Sequence, residues 1–201
     1  MTVAAIAHAP DHGAHHTSTG LSSRKMLFWA FLGSECMFFG SLIATYLVYK
    51  GRDTTGPHPH DVLNIPFTSF SAFVLLMSSL TMVLALAAVQ RGNPRGTKLW
   101  LAATALLGMT FVGGQCYEFT EFFFHGLKLQ SNLFGCSFFV LTGFHGTHVT
   151  VGVIWLWTLF VMAMKGKLGT EHALDVEIAG LYWHFVDVVW IAIFTLIYLI
   201  Q

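Results

Sequence analysis

Near the end of the chain, an apolar run contains the stretch Tyr182-Trp183-His184-Phe185-Val186-Asp187-Val188-Val189-Trp190. It places a histidine and a carboxylate inside a segment long enough to span a membrane. Ionisable groups at bilayer depth are energetically expensive, so they need polar partners and usually mark function. Glu177, Gly180, His184 and Asp187 follow steps of 3, 4 and 3 residues, which places them on one helical face. We therefore predict that His184 and Asp187 are buried with partners.

The composition of the whole chain also indicates a membrane protein. Of 201 residues, 55% are hydrophobic and 10% are charged, whereas a typical soluble domain has roughly 25% charged residues. The formal net charge is zero and no basic patch is present, so nucleic-acid binding is not indicated. Five apolar segments predict an all-α polytopic protein with five spanning helices, at about Met26–Tyr49, Phe67–Val89, Leu99–Tyr117, Leu133–Met164 and Val176–Ile200.

The chain divides into a tail, residues 1–23, and a membrane domain, residues 24–201. The tail is rich in Ala, His and Thr, which predicts disorder. Its histidines could bind a metal, but a solvated tail is the preferred interpretation. With the N-terminus in the cytoplasm, seven of the ten Lys and Arg residues fall on the cytoplasmic side and three on the other. The positive-inside rule therefore predicts a cytoplasmic N-terminus and an outer C-terminus.

Glu35 lies near the middle of the first predicted helix, among aromatic residues. It is either an acid that handles protons or binds lipid headgroups, or an acid hydrogen-bonded to a neighbouring helix, and both interpretations stay open here. Three cysteines lie far apart, without a CxxC pair: Cys36, Cys116 and Cys136. This pattern predicts neither a zinc site nor a disulfide framework, and favours buried, inert thiols.

The fourth predicted helix carries His145 and His148, which are neighbours on one face. They could ligate a metal or haem, with His184 as a third ligand, or they could hydrogen-bond between helices. A small-residue stripe is formed by Thr142, Gly146 and Thr150, and such stripes are typical of helix packing. This stripe explains the glycine without a metal, so we predict hydrogen bonds between helices and no metal.

At the outer end of the third predicted helix, Gln115, Glu118 and Glu121 recur at a spacing of three. This spacing predicts solvated charge at a helix end. Two classes of function remain at this point. The chain is either an accessory membrane subunit whose polar groups bind neighbours, lipids and protons, or a self-contained haem or metal enzyme that uses His145, His148 and His184.

Several motifs, in order, resemble subunit III of the haem-copper terminal oxidases. The resemblance covers about Arg24 to Ile200 and rests on four motifs. The first two are Ser34-Glu35 with Met37-Phe38-Phe39, and Gln115 with Glu118 and Glu121. The others are Ser137-Phe138-Phe139-Val140 followed by Gly143-Phe144-His145-Gly146 and His148-Val149, and Glu177 with the Tyr182–Trp190 block. The resemblance is closest to the five-helix bacterial form.

This resemblance implies a bundle of five helices with a V-shaped cleft that holds phospholipids. It implies a subunit without haem or copper, in a cell-membrane complex that reduces oxygen and translocates protons. Subunit I carries haem and copper and is the main contact, subunit II carries CuA in the cytochrome c type, and subunit IV is a further partner. The chain would support proton uptake and the stability of subunit I.

The resemblance also assigns roles to residues. Glu35 matches a carbodiimide-reactive carboxylate near the cleft lipids, and Lys165 matches a basic position that meets lipid phosphate. The buried polar network would comprise His145, His148, Glu177, His184 and Asp187. Tyr182 and the run Gln115-Cys116-Tyr117-Glu118 resemble the cytochrome c type, whereas the His-rich tail resembles some quinol oxidase subunits. The cytochrome c type is preferred, with a quinol oxidase subunit III as the alternative.

Overall fold

The computed structural model describes residues 22–50, 65–124 and 133–199. The predicted tail therefore lies outside the described residues, apart from its last two positions. The described ranges are almost entirely helical and contain five helices long and apolar enough to cross a membrane. The predicted all-α class and the five spanning helices are confirmed, whereas the V-shaped lipid cleft stays a prediction.

The five helices are α1 (Ser23–Tyr49), α2 (Ile65–Gln90), α3 (Pro94–Phe124), α4 (Leu133–Met164) and α5 (Ala173–Phe194). A single 3-10 turn, Thr170–His172, leads into α5, and a π-helical turn, Thr195–Leu199, continues it. Helix α3 runs beyond the predicted apolar segment at both ends, through Pro94–Lys98 before it and Glu118–Phe124 after it.

Short turns at one end of the bundle have clear local causes. The turn between α2 and α3 uses Gly92 with φ of 63°, a conformation that costs glycine little. Asn93 Oδ1 then accepts a hydrogen bond from Gly96 N at 3.1 Å, and Pro94 occupies the first helical position. Helix α4 ends at Met164, and two residues later Gly166 adopts a φ of 68°.

The helices differ in how deeply they are buried. Helix α3 packs against α2 and α4, and α5 packs against α2 and α4, while α1 packs mainly against α4 and less extensively against α5. Half of the apolar window of α5 is buried, but only 11% of that of α1. Helix α5 is therefore the centre of the bundle, and α1 lies on its periphery with an outward apolar face.

Trp183 of α5 lies where α2, α3 and α4 meet. It is 1% exposed, and its Nε1 donates a hydrogen bond to Ser78 Oγ at 2.9 Å. A Cβ atom added at Gly108 would lie 2.6 Å from Trp183 Cη2, and one at Gly152 would lie 2.8 Å from Cζ3. These two glycines therefore make the space that the indole ring fills.

The predicted small-residue stripe of α4 lies partly in a helix interface: Thr142 is buried, Gly146 faces the Gln115 side chain of α3, and Thr150 is exposed. The expectation of buried thiols is wrong, because all three cysteines lie on exposed positions of the bundle. In a membrane protein, apolar residues also face outwards, so an apolar sequence context does not predict burial.

Candidate functional site

Glu35 of α1 meets His148 of α4. Glu35 Oε2 lies 3.2 Å from His148 Nε2, and both side chains are less than one-fifth exposed. Glu35 Oε2 has no hydrogen-bond partner among the described residues, so this contact is a close approach of the two groups. His148 Nδ1 lies 2.7 Å from the carbonyl oxygen of Phe144. Because a carbonyl only accepts, Nδ1 carries a hydrogen, and Nε2 faces the carboxyl group.

An apolar groove runs beside this pair, between α1 and α4. This α1–α4 groove has a volume of about 320 Å³ and is lined by His148, Phe28, Phe31, Val151, Trp155 and Tyr182, among others. Tyr182 OH donates a hydrogen bond to the carbonyl oxygen of His148 at 3.0 Å, which ties α5 to the same turn of α4. An acid and an imidazole thus lie next to an aromatic groove on the surface of the bundle.

His145 points away from this pair, into the core. It is fully buried, and its Nε2 donates to the carbonyl oxygen of Val186 at 3.2 Å. Its ring stacks on Trp190 at 4.9 Å between centroids. The predicted hydrogen bond between helices is confirmed for His145. His148 instead bonds within its own helix and contacts α1 through Glu35, so the two histidines do not form a common site.

A serine of α2 joins His184 and Asp187. Ser79 Oγ donates a hydrogen bond to Asp187 Oδ2 and lies 3.0 Å from His184 Nδ1. The hydroxyl has a single hydrogen, so the consistent arrangement has His184 Nδ1 donating to Ser79 Oγ. Asp187 is 4% exposed. Burial with a partner is confirmed for Asp187, whereas His184 has its partner but is only half-buried. The residue that joins them is Ser79, which sequence reasoning missed. Its signal was the Ser78-Ser79 pair inside the apolar run of α2.

The acidic group at the far end of α3 is not solvated as predicted. Glu118 is 4% exposed and Gln115 is 8% exposed, while Glu121 is half-buried. Thr68 Oγ1 of α2 donates a hydrogen bond to Glu118 Oε1, and Tyr198 OH lies 3.4 Å from the same oxygen. The expectation of a solvated helix end is therefore wrong for Glu118, which α2 and the turn after α5 cover, and for Gln115, which lies against Gly146 of α4.

Glu177 does not belong to the buried polar network. Its side chain is 32% exposed, and Lys25 of α1 forms an ion pair with it. Next to this pair, Arg24 Nη2 lies 2.7 Å from Asp175 Oδ1. These two ion pairs fasten the start of α1 to the start of α5. Glu177 shares a helical face with Asp187 but lies at the end of the bundle, where water and long basic side chains reach it.

Lys165 lies exposed just after α4, at the same end of the bundle as Arg24 and Lys25. It borders an open groove of about 530 Å³ whose other lining residues include Trp157, Val161 and Lys167. Two lysines thus stand over an apolar surface, an arrangement that suits an anionic headgroup above an acyl chain.

No three His, Cys, Asp or Glu side chains converge as a metal-binding group within residues 22–50, 65–124 and 133–199. His145, His148 and His184 bond to three different partners, namely the Val186 carbonyl, the Phe144 carbonyl and Ser79. The three histidines therefore do not form the ligand set of the alternative enzyme class.

Comparisons with known proteins agree with this arrangement. The family model for cytochrome c oxidase subunit III matches residues 5–201. Cytochrome c oxidase subunit 3 of Bacillus sp. strain PS3 is 38% identical over 199 residues, covering 99% of this chain and 95% of the relative. Quinol oxidase subunit 3 of Bacillus subtilis strain 168 is 40% identical over 172 residues. Cytochrome c oxidase subunit 3 of the same strain is 38% identical over 173 residues. Each of these two alignments covers 86% of this chain and 84% of the relative. The chain therefore belongs to the cytochrome c oxidase subunit III family and is subunit III of a haem-copper oxidase, a multi-pass membrane protein that associates with other oxidase subunits.

Proposed function

We propose that this chain is the non-redox accessory subunit of a cytochrome c-oxidising, oxygen-reducing and proton-pumping complex. The observation that carries the accessory role is that each intramembrane histidine joins helices or contacts an acid: His145 bonds α5, His148 meets Glu35, and His184 bonds Ser79. In this proposal haem and copper belong to subunit I and CuA to subunit II. The complex lies in a bacterial cell membrane, and the chain packs mainly against subunit I, with contacts to subunits II and IV.

The choice of cytochrome c as electron donor rests on residues that have defined positions in the bundle. Tyr182 bonds the His148 turn, and Gln115 and Glu118 are buried between helices. These positions carry the features that resemble the cytochrome c type. The second candidate is a quinol oxidase subunit III, which is favoured by the His-rich tail and by the 40% identical relative named as a quinol oxidase subunit.

The chain supports the complex by holding phospholipid. The aromatic lining of the α1–α4 groove suits an acyl chain, and the Glu35–His148 pair lies beside it. Lys165 and Lys167 stand over a second apolar groove and suit a lipid phosphate. Lipid in these grooves would stiffen the surface of the subunit and so support proton uptake by subunit I.

The electron donor can be tested on the complex purified through an affinity tag on this chain. Reduced cytochrome c and a reduced quinol are supplied in parallel, and oxygen consumption is measured. We expect rapid, azide-sensitive oxidation of cytochrome c. Oxidation of quinol alone would assign the second candidate, and purification of the chain without any other oxidase subunit would overturn the whole proposal.

The different-class alternative has its own test. Metal analysis and a visible spectrum are recorded on the same complex after this chain is separated from it on a denaturing but haem-retaining gel. We expect haem and copper to follow the other subunits. Stoichiometric haem, copper or zinc on this chain would contradict the accessory role.

A further inference from the structure

A second groove lies between α3 and α4 and adjoins the α1–α4 groove at Thr147 and Val151, which line both. This α3–α4 groove has a volume of about 300 Å³ and lies open to the outside of the bundle; its lining includes Val112, Gln115, Phe119, Gly143, Gly146 and Thr150. None of the roles proposed so far involves this groove, because the proposed lipid binding uses the α1–α4 groove and the groove beside Lys165. Apart from Val151, its α4 side consists of glycine and threonine, residues that let another helix approach closely.

One polar side chain faces this groove without a partner. Gln115 is 8% exposed, and its buried Oε1 has no hydrogen-bond partner among the described residues. A Cβ atom added at Gly146 would lie 3.6 Å from that oxygen, so the amide points at the glycine wall. A buried amide oxygen that loses its hydrogen bonds to water and gains none in return is destabilising, so the position calls for a hydrogen-bond donor from outside the chain.

The threonines that line the groove do not provide that donor. Thr147 Oγ1 donates to the carbonyl oxygen of Gly143 at 2.9 Å, and Thr150 Oγ1 donates to that of Gly146 at 2.8 Å. Each hydroxyl hydrogen is thus used within α4, and the groove presents methyl groups and glycine around the amide. The side chain of Gln115 is the polar feature that an occupant must satisfy.

The depth of the groove decides which occupant can do so. Gly146 lies ~20 Å along the helix axis from the start of α4 and ~27 Å from its end, at the usual rise per residue. Gln115 lies ~14 Å along the helix axis from the end of α3, so both residues fall inside a hydrocarbon layer about 30 Å thick and not at its surface. Acyl chains carry no donor at this depth, and water is excluded there. A polypeptide side chain on a spanning helix can supply one.

We propose that the α3–α4 groove is the docking site for a transmembrane helix of another oxidase subunit, which places a hydroxyl, amide or indole donor on Gln115. This inference rests on the association with other oxidase subunits that the proposed function includes. The small residues of α4 set the closeness of the approach, and the Gln115 amide sets the register of the partner helix along the groove.

The occupant can be identified by photocrosslinking in membranes that contain the whole complex. The photoreactive residue p-benzoylphenylalanine replaces Cys116, an exposed residue at the groove. A control probe replaces Leu106, which is exposed on α3 outside the groove. We expect the Cys116 probe to attach to one transmembrane segment of another oxidase subunit, at a residue near a polar side chain. Attachment to lipid alone, to a second copy of this chain, or to the same segment from both probes would overturn the inference.

Substitutions then test the contact itself, by the ratio of that subunit to this chain in the purified complex. Gly146→Leu fills the groove and should lower the ratio at least ~tenfold, whereas Gly146→Ala, whose Cβ has room, should leave it unchanged. Gln115→Leu removes no hydrogen bond within the described residues, so the chain should reach normal levels in the membrane while the ratio falls several-fold. Gly113→Leu is the matched control, because a Cβ there meets nothing within 4 Å.

Unchanged ratios in Gly146→Leu and Gln115→Leu would overturn the docking site while the unsubstituted chain still purifies with the oxidase. If the unsubstituted chain purifies without oxidase subunits, the proposed function fails instead. The two failures are therefore distinguishable.

Discussion

His148 Nε2 lies 3.2 Å from Glu35 Oε2, while Nδ1 of the same ring is held at 2.7 Å by the Phe144 carbonyl. The ring therefore has one hydrogen committed to its own helix and one nitrogen turned to the acid. Changes at either residue should thus affect the seam between α1 and α4 as a unit.

Substituting Glu35 should weaken lipid retention and shorten the working life of the complex. Glu35→Ala removes the acid at the α1–α4 seam and leaves His148 without its polar neighbour. We expect less co-purified phospholipid and faster loss of activity during turnover, with a smaller effect on initial electron transfer, because the redox centres belong to other subunits. Lipid mass spectrometry and progress curves measure both effects.

The control for this experiment is Ser41→Ala, an exposed position on α1 whose hydroxyl bonds only its own helix in the described residues. It should behave as the unsubstituted complex does. Unchanged lipid content in Glu35→Ala together with an immediate loss of electron transfer would show that Glu35 acts in another way.

The Ser79 bridge predicts similar losses from substitutions on two different helices. Ser79→Ala leaves buried Asp187 without its donor, and Asp187→Ala leaves the Ser79 hydroxyl without its acceptor. Each should cost roughly 1–3 kcal/mol, the usual penalty for a buried group that loses its partner. The double variant should lose much less than the sum, because both changes remove the same bond. Denaturation of the purified complex measures these differences, and additive losses would contradict the bridge.

Adding a single methyl group at Gly152 should destabilise the bundle. The new Cβ would lie 2.8 Å from Trp183 Cζ3, and a rigid, fully buried indole cannot move aside. Overpacking of this kind costs typically about 1–3 kcal/mol. The melting temperature of the complex should fall for Gly152→Ala and recover partly in Gly152→Ala/Trp183→Phe. Gly113→Ala is the control, since its Cβ meets nothing.

The topology should follow the basic end of the bundle. Arg24, Lys25 and Lys165 lie together at the end where α1 begins and α4 stops. Positively charged ends face the cytoplasm, so we expect a cytoplasmic N-terminus. A fusion of alkaline phosphatase after Gln201 should be active, because that enzyme folds outside the cytoplasm. A fluorescent protein at the same place that folds and fluoresces in the cytoplasm would contradict the prediction.

Much of the fold follows from local sequence. Five apolar segments of sufficient length specify five helices, because hydrocarbon leaves no alternative way to satisfy backbone groups. Asp187 could be placed in a buried position for a similar reason, since a carboxylate in an apolar run cannot face acyl chains. The inter-helix bond of His145 was likewise predictable from an imidazole beside a small-residue stripe.

Partners and exposure, in contrast, depended on which faces meet. Ser79 is an ordinary serine in the sequence, and it becomes the bridge to Asp187 only because α2 packs on α5. The sequence predicts a solvated Glu118, but α2 covers this residue in the structure. The sequence also predicts an intramembrane Glu177, but in the structure it forms an ion pair with Lys25 at the end of the bundle.

The sequence by itself therefore determined the membrane class, the number of helices and the residues that could not face lipid, because each of these depends on the free energy of a single segment in hydrocarbon. Only the tertiary structure decided that Glu35 meets His148 across α1 and α4, and that Gln115 is left without a partner in a groove. Contacts between residues far apart in sequence depend on how the helices rotate about their axes and cross one another. Because the bilayer accepts apolar side chains on every outer face, the sequence has little periodic pattern that could predict this rotation.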